Sequence, residues 1–158
     1  MKNTIVVTGG SGGGVLTTWI IGKTNRFAAA AAAKPVINWI SEVLYADLTA
    51  FATQYWFDAP PWEDVQEYWR RSPLSIVGSV ETPTLLITGE QDLRTPMAES
   101  EQYYHALKLR QVDTMLVRIP EASHSIYARP SHLIAKVANI LAWFEKYRDK
   151  PTDEAASR

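Results

Sequence analysis

The chain begins MKNTIVVTGGSGGGVLTTWIIG, and one serine lies inside its glycine run, Gly9-Gly10-Ser11-Gly12-Gly13-Gly14. The spacing is G-x-S-x-G, set between the apolar run Ile5-Val6-Val7 and a helix-patterned stretch, Val15 to Gly22. A serine on a sharp strand-to-helix turn has its hydroxyl lifted clear of a sheet edge, where a base can take its proton. Glycine suits such a turn because it accepts backbone angles that side chains forbid, and because side chains there would collide with the strand and helix being joined. The base and the group that orients it come from elsewhere in the chain. Of three histidines, His105 falls within one helical stretch and His132 opens another. His124 alone is in a loop, Pro120-Glu121-Ala122-Ser123-His124, after the strand-like run Thr114 to Ile119. Asp92 follows the apolar run Thr84 to Thr88 in Gly89-Glu90-Gln91-Asp92, with Glu90 as a competing carboxylate and helix capping as a competing role for Asp92. Serine, acid and histidine thus occur in that order, each after a strand, so a parallel sheet would gather nucleophile, orienting acid and base at one edge.

The glycine run also has to be tested as a phosphate cradle for a dinucleotide. A strict G-x-G-x-x-G fails, because the last glycine would have to stand at Val15 or Thr17. The T-G-x-x-x-G-x-G of short-chain dehydrogenases fits from Thr8 until its last position, Val15, and Tyr104-x-x-x-Lys108 supplies a Y-x-x-x-K. No acidic residue follows a second strand where a ribose would be held. A nucleotide-binding P-loop is excluded because no lysine follows the glycines. The dehydrogenase reading is therefore the minor one.

The elements around these residues alternate. Strand-like runs at Ile5-Val6-Val7, Thr84 to Gly89 and Thr114 to Pro120 are separated by helical patterns at Val15 to Gly22, Val36 to Phe57, Trp62 to Arg70 and Pro96 to Leu109. An amphipathic helix, Leu133 to Tyr147, closes the chain. In the first helix, Val15, Leu16, Trp19 and Ile20 form one apolar face, with Gly22 as its cap. Alternating strands and helices predict a mostly parallel α/β sheet. The six alanines Ala28 to Ala33 read as helix by propensity, with a strand of small residues buried on both faces as the competing reading. The aromatics Trp39, Tyr45, Trp56 and Phe57 read as core more readily than as a substrate pocket.

Composition narrows the classes. The chain has 158 residues, a formal net charge of −1 and no cysteine. One domain is expected, without disulfides, thiolate metal sites or a cysteine nucleophile. Near-neutral charge argues against a nucleic-acid partner, and no apolar stretch approaches the roughly 20 residues needed to cross a bilayer. The residues suggest no cofactor and no metal site, and the expected location is cytoplasmic.

Taken together, Thr8-Gly9-Gly10-Ser11-Gly12-Gly13 with Trp19-Ile20-Ile21-Gly22 resembles the nucleophile region of prolyl oligopeptidase-family serine peptidases of the acylaminoacyl-peptidase kind. So do Asn38-Trp39-Ile40-Ser41, Pro61-Trp62-Glu63, Tyr68-Trp69, Arg71-Ser72-Pro73-Leu74 and Thr82-Pro83-Thr84-Leu85-Leu86-Ile87, and Gly89-Glu90-Gln91-Asp92-x-Arg94-x-Pro96 with Ser123-His124 completes the set. The resemblance implies Ser11 as nucleophile, His124 as base and then acid, Asp92 as orienting carboxylate, and the Gly12 N–H as an oxyanion-hole donor. It also implies strand for Ala28 to Ala33. Gly12 stands where the family usually has a tyrosine. The implied fold is a partial α/β-hydrolase over residues 1–150, the C-terminal portion of the domain, with its N-terminal strands, its second oxyanion donor and its propeller absent. The tail, residues 151–158, is expected to be disordered. An uncovered first strand would make the chain dependent on association, with a copy of itself or with a partner supplying strands. The chemistry expected is hydrolysis of peptides or acylated peptides. An esterase on the same triad, or an inactive fragment that only associates, are the alternatives.

Overall fold

A computed structural model describes residues 5–148; the tail 151–158 lies outside them. Four strands, β1 (Val6–Gly10), β2 (Ala29–Ala33), β3 (Thr84–Gly89) and β4 (Thr114–Ile119), form a sheet in the order β1-β2-β3-β4, every pair parallel. Parallel neighbours need crossovers, and helices supply them: α1 (Gly12–Ile21) after β1, then α2 (Trp39–Tyr45), α3 (Thr49–Tyr55) and α4 (Val65–Arg71) after β2, and α5 (Met97–Leu109) after β3. The last helix, α6 (Pro130–Tyr147), returns onto the sheet. No helix among the described residues is long and apolar enough to cross a membrane.

Both faces of a parallel sheet are covered, and β2 shows what this demands. Its five alanines are all buried. Ala29, Ala31 and Ala33 face a layer containing Leu85, Ile87, Ile119 and the α6 residues Trp143 and Tyr147. Ala30 and Ala32 face Ile21 of α1, Leu86, and Tyr103 and Leu107 of α5. Alanine's helix preference is worth only some tenths of a kcal/mol per residue, so two-sided burial decides the outcome.

Several sequence expectations are corrected by packing. Helix α1 starts at Gly12, three residues before Val15, and its buried side is Gly14, Thr17, Thr18 and Ile21. The apolar set Val15, Leu16, Trp19 and Ile20 turns outward, with Leu16 68% exposed. Small side chains let α1 approach the sheet closely, and the buried hydroxyls of Thr17 and Thr18 donate to the carbonyls of Gly13 and Gly14 at 2.8 and 2.9 Å. The single helix expected over Val36 to Phe57 is two, because Asp47 leaves it to donate its N–H to Leu93 O (2.9 Å) and pair with Arg94. Helix α4 begins at Val65 rather than Trp62, capped by Asp64 Oδ1, which accepts from the Glu67 N–H. Helix α6 begins at Pro130, before Leu133. It buries Trp143 and Tyr147 while Ile134, Val137 and Leu141 lie exposed. Strand β1 pairs with β2 alone among the described residues, leaving Ile5 and Val6 partly open.

Candidate active site

The turn between β1 and α1 is strained at the serine itself. Ser11 has φ 57° and ψ −121°, while no glycine among the described residues has positive φ. The glycines are therefore not needed for their backbone angles, as the sequence suggested, but two of them are needed for space. A Cβ on Gly9 would stand 2.2 Å from Gly13 O, and one on Gly14 would stand 2.9 Å from Ala33 O. Gly12 and Gly13 have nothing within 4 Å of a built Cβ. A non-glycine residue in such a conformation costs about 1–3 kcal/mol and persists only where its surroundings hold it. Here the Ser11 N–H donates to Ala33 O and Ser11 O accepts from the Val15 N–H, both at 3.0 Å.

Ser11 follows β1, Asp92 follows β3 and His124 follows β4, so the three converge at the C-terminal edge of the sheet. Ser11 Oγ is 3.1 Å from His124 Nε2. On the other side of the ring, Nδ1 is 2.9 and 3.1 Å from Asp92 Oδ2 and Oδ1. Asp92 is buried, and burial alone would push its carboxyl up. The hydrogen bond from His124 and those from the Thr95 and Arg94 N–H groups outweigh burial and hold it below its ordinary range. It therefore accepts rather than donates, so Nδ1 carries the proton shared with it and Nε2 faces the serine hydroxyl. A hydroxyl, a base facing it and an anion behind the base form the constellation that moves a proton off a nucleophile and stabilises the imidazolium that results.

Each competitor in the sequence has another place. Glu90 is exposed and pairs with Arg118 at 3.1 Å. His105 is exposed on α5, and His132 lies in the first turn of α6. Tyr104 packs against the buried cluster that holds Ile21, Leu86 and Leu107, and the residue that follows β2 is Lys34 rather than an acid. Asp92 also closes its own turn onto Arg94 and Thr95, so the capping reading of this residue holds in part, although Pro96 is the cap of α5. Gly12 is the first residue of α1, where N–H groups have no partner within the helix. Two residues escaped the sequence reading. Thr95 Oγ1 is 3.1 Å from Asp92 Oδ2 and 3.3 Å from His124 Nδ1, a contact signalled only by its place three residues after the acid. Lys34 Nζ donates to His124 O at 2.6 Å, across 90 residues of sequence that carry no local sign of it. The aromatics Trp39, Tyr55, Trp56 and Phe57, with Arg71, line a cavity of about 350 Å³. No group of three or more His, Asp or Glu among the described residues is placed to hold a metal ion.

A parallel α/β sheet that gathers serine, acid and histidine at its C-terminal edge in that chain order is an α/β-hydrolase fold. Residues 1–151 match the prolyl oligopeptidase family of peptidases, and the chain belongs to that family. It is 41% identical over 143 residues to the uncharacterized peptidase YuxL of Bacillus subtilis, covering 89% of this chain and 22% of that protein. It is 38% identical over 151 residues to the acylamino-acid-releasing enzyme of Arabidopsis thaliana, covering 90% and 20%. The fold superposes on Pyrococcus horikoshii acylaminoacyl peptidase with a TM-score of 0.85 at 25% identity, covering 93% of this chain and 24% of that one. The chain thus spans about a fifth of the length of these curated relatives and corresponds to part of a serine peptidase's catalytic domain.

Proposed function

We propose that this chain carries the acyl-transfer machinery of a serine peptidase acting on peptides or N-acylated peptides, as the C-terminal portion of its hydrolase domain, residues 1–150. Ser11 Oγ attacks the carbonyl carbon as His124 Nε2 takes its proton, and Asp92 stabilises the imidazolium. The Gly12 N–H donates to the oxyanion. The tetrahedral adduct collapses, the C–N bond breaks and His124 returns the proton to the leaving amine. Water then repeats the sequence on the Ser11 ester and releases the acid. The observation that carries the reading is the unbroken chain of hydrogen-bond distances from Ser11 Oγ through the imidazole to Asp92. The acyl-peptide substrate class rests on the relatives named acylamino-acid-releasing enzymes. A donor of this kind is worth on the order of 100- to 1000-fold in rate; an ester, the more reactive substrate, is the alternative for the same triad.

A fluorophosphonate probe tests the machinery without a substrate having to be chosen. The chain is expected to be labelled and the Ser11→Ala variant to stay unlabelled. A folded wild-type chain that takes no label overturns the assignment.

A second reading concerns association. The open edge of β1, with the partly exposed Ile5 and Val6, favours a chain that pairs along this edge, with a second copy or with further strands of a hydrolase domain.

A further inference from the structure

Lys34 is the first residue beyond the all-alanine strand β2, and its backbone is left-handed, with φ 44°. For a residue with a long side chain this conformation costs about 1–3 kcal/mol. Its N–H continues the sheet ladder by donating to Ile87 O at 2.7 Å. Its side chain runs past Gly10 to the histidine loop, where Nζ donates to the backbone carbonyl of His124 at 2.6 Å. The residue before it, Ala33, accepts from the Ser11 N–H. Two consecutive residues at the end of β2 therefore tie down both ends of the serine–histidine contact. Ala33 holds the turn that presents Ser11, and Lys34 holds the loop that presents His124.

That loop needs holding. Between β4 and the short turn Ile126–Ala128, Ala122 O accepts from the Gln91 N–H and Ser125 O accepts from the Ala128 N–H. His124 lies between those two tethers, and the Lys34 ammonium supplies the bond on His124 itself. A charge-assisted donor is roughly twice as strong as a neutral one, and the short distance suits it.

We propose that Lys34 is a positioning residue for the histidine: its protonated amine, anchored to β2, clamps the His124 backbone so that the imidazole bridges Asp92 and Ser11. The inference rests on the acyl-transfer reading above for its catalytic meaning, but the position of the ring can be read without catalysis. The groups that bear on the amine are Lys136 of α6, Asp92 after β3 and Tyr127 of the short turn. Burial lowers the tendency of the amine to stay charged, Lys136 adds to this, and Asp92 and Tyr127 oppose it. The clamp is therefore released at a pH below the 10.5 of an ordinary lysine.

The test compares the wild-type chain with Lys34→Asn and Lys34→Arg. Asparagine tolerates the left-handed backbone but is too short to reach His124, and arginine keeps a charge that does not titrate below pH 12. Two readouts are followed from about pH 6 to 10: the rate of fluorophosphonate labelling, and the low-field proton NMR signal of the His124 Nδ1–H bound to Asp92. Lys34→Asn is expected to slow labelling by about 10- to 100-fold and to shift or broaden the low-field signal at unchanged melting temperature. Lys34→Arg is expected to restore most of the rate and to lack the alkaline decline expected of the wild type. Should Lys34→Asn fold poorly, the alkaline limb in Lys34→Arg decides alone. If Lys34→Asn keeps the wild-type signal and rate, or if all chains share one alkaline limb, the proposal is overturned. If the wild type takes no label while its low-field signal is present and is lost in Lys34→Asn, the clamp stands and the acyl-transfer reading falls.

Discussion

Replacing Glu42 with glutamine is expected to stabilise the chain on the alkaline side and to flatten its dependence of stability on pH. Glu42 lies on α2 and is 3% exposed, and its Oε2 has no hydrogen-bond partner among the described residues. Burial is the main cause that raises its carboxyl, from 4.5 to about 8. The neighbouring carboxylates of Glu99, Asp92 and Asp47 add to the effect, while Arg94 opposes it. Glu99 is buried as well, but it accepts from the Ile37 and Asn38 N–H groups at 2.8 Å and from Ser41, so Glu42 is the member of the pair that keeps the proton. The folded chain thus holds a proton that the unfolded chain has already lost between pH 4.5 and about 8, and folding stability falls as pH rises through that window. At about 1.4 kcal/mol per pH unit the loss amounts to about 5 kcal/mol, an upper value because the site relaxes as it ionises. That is comparable with the whole stability of a marginal domain. Glutamine keeps the shape and cannot ionise. Urea melts followed by tryptophan fluorescence at about pH 5, 7 and 9 are expected to give similar midpoints for the two chains at pH 5 and a higher midpoint for Glu42→Gln at pH 9. Parallel curves at all three values, or a variant less stable at pH 9, would refute the reasoning.

The glycine run makes a paired prediction. Gly9→Ala places a methyl against the Gly13 carbonyl and is expected to cost about 3 kcal/mol or more and to slow labelling, whereas Gly13→Ala meets open space within α1 and is expected to gain about 0.5–1 kcal/mol, both read by thermal melts. For the open β1 edge, sedimentation of the 158-residue chain is expected to show a dimer or larger species, and a well-folded monomer would count against association through that face.

The candidate site was legible in sequence to the extent that it follows from local rules. Strand-end positions for Ser11, Asp92 and His124 come from apolar runs closed by turn residues, and their chain order comes from topology, since consecutive parallel strands place each strand's C-terminal end on the same edge. Gly9 was legible too, because a strand entering a helix through a tight turn leaves no room for a side chain. Asp92 and Glu90 are two residues apart in one loop, and only the fold turns one toward the imidazole and the other toward Arg118. Burial on two faces made a strand of five alanines whose propensity is helical, and a tether to Leu93 cut one expected helix into two. The apolar residues Val15, Leu16, Trp19 and Ile20 form a stripe that periodicity reads as the inward face, yet close approach to the sheet favoured the side with Gly14 and the threonines. Thr95 and Lys34 act through contacts that span 29 and 90 residues of sequence. By itself the sequence determined the order of the elements and the turn chemistry at their ends, because both are set by neighbours along the chain. The choice among equivalent side chains and faces was left to tertiary structure, because burial and hydrogen bonding are settled between residues that the sequence keeps far apart.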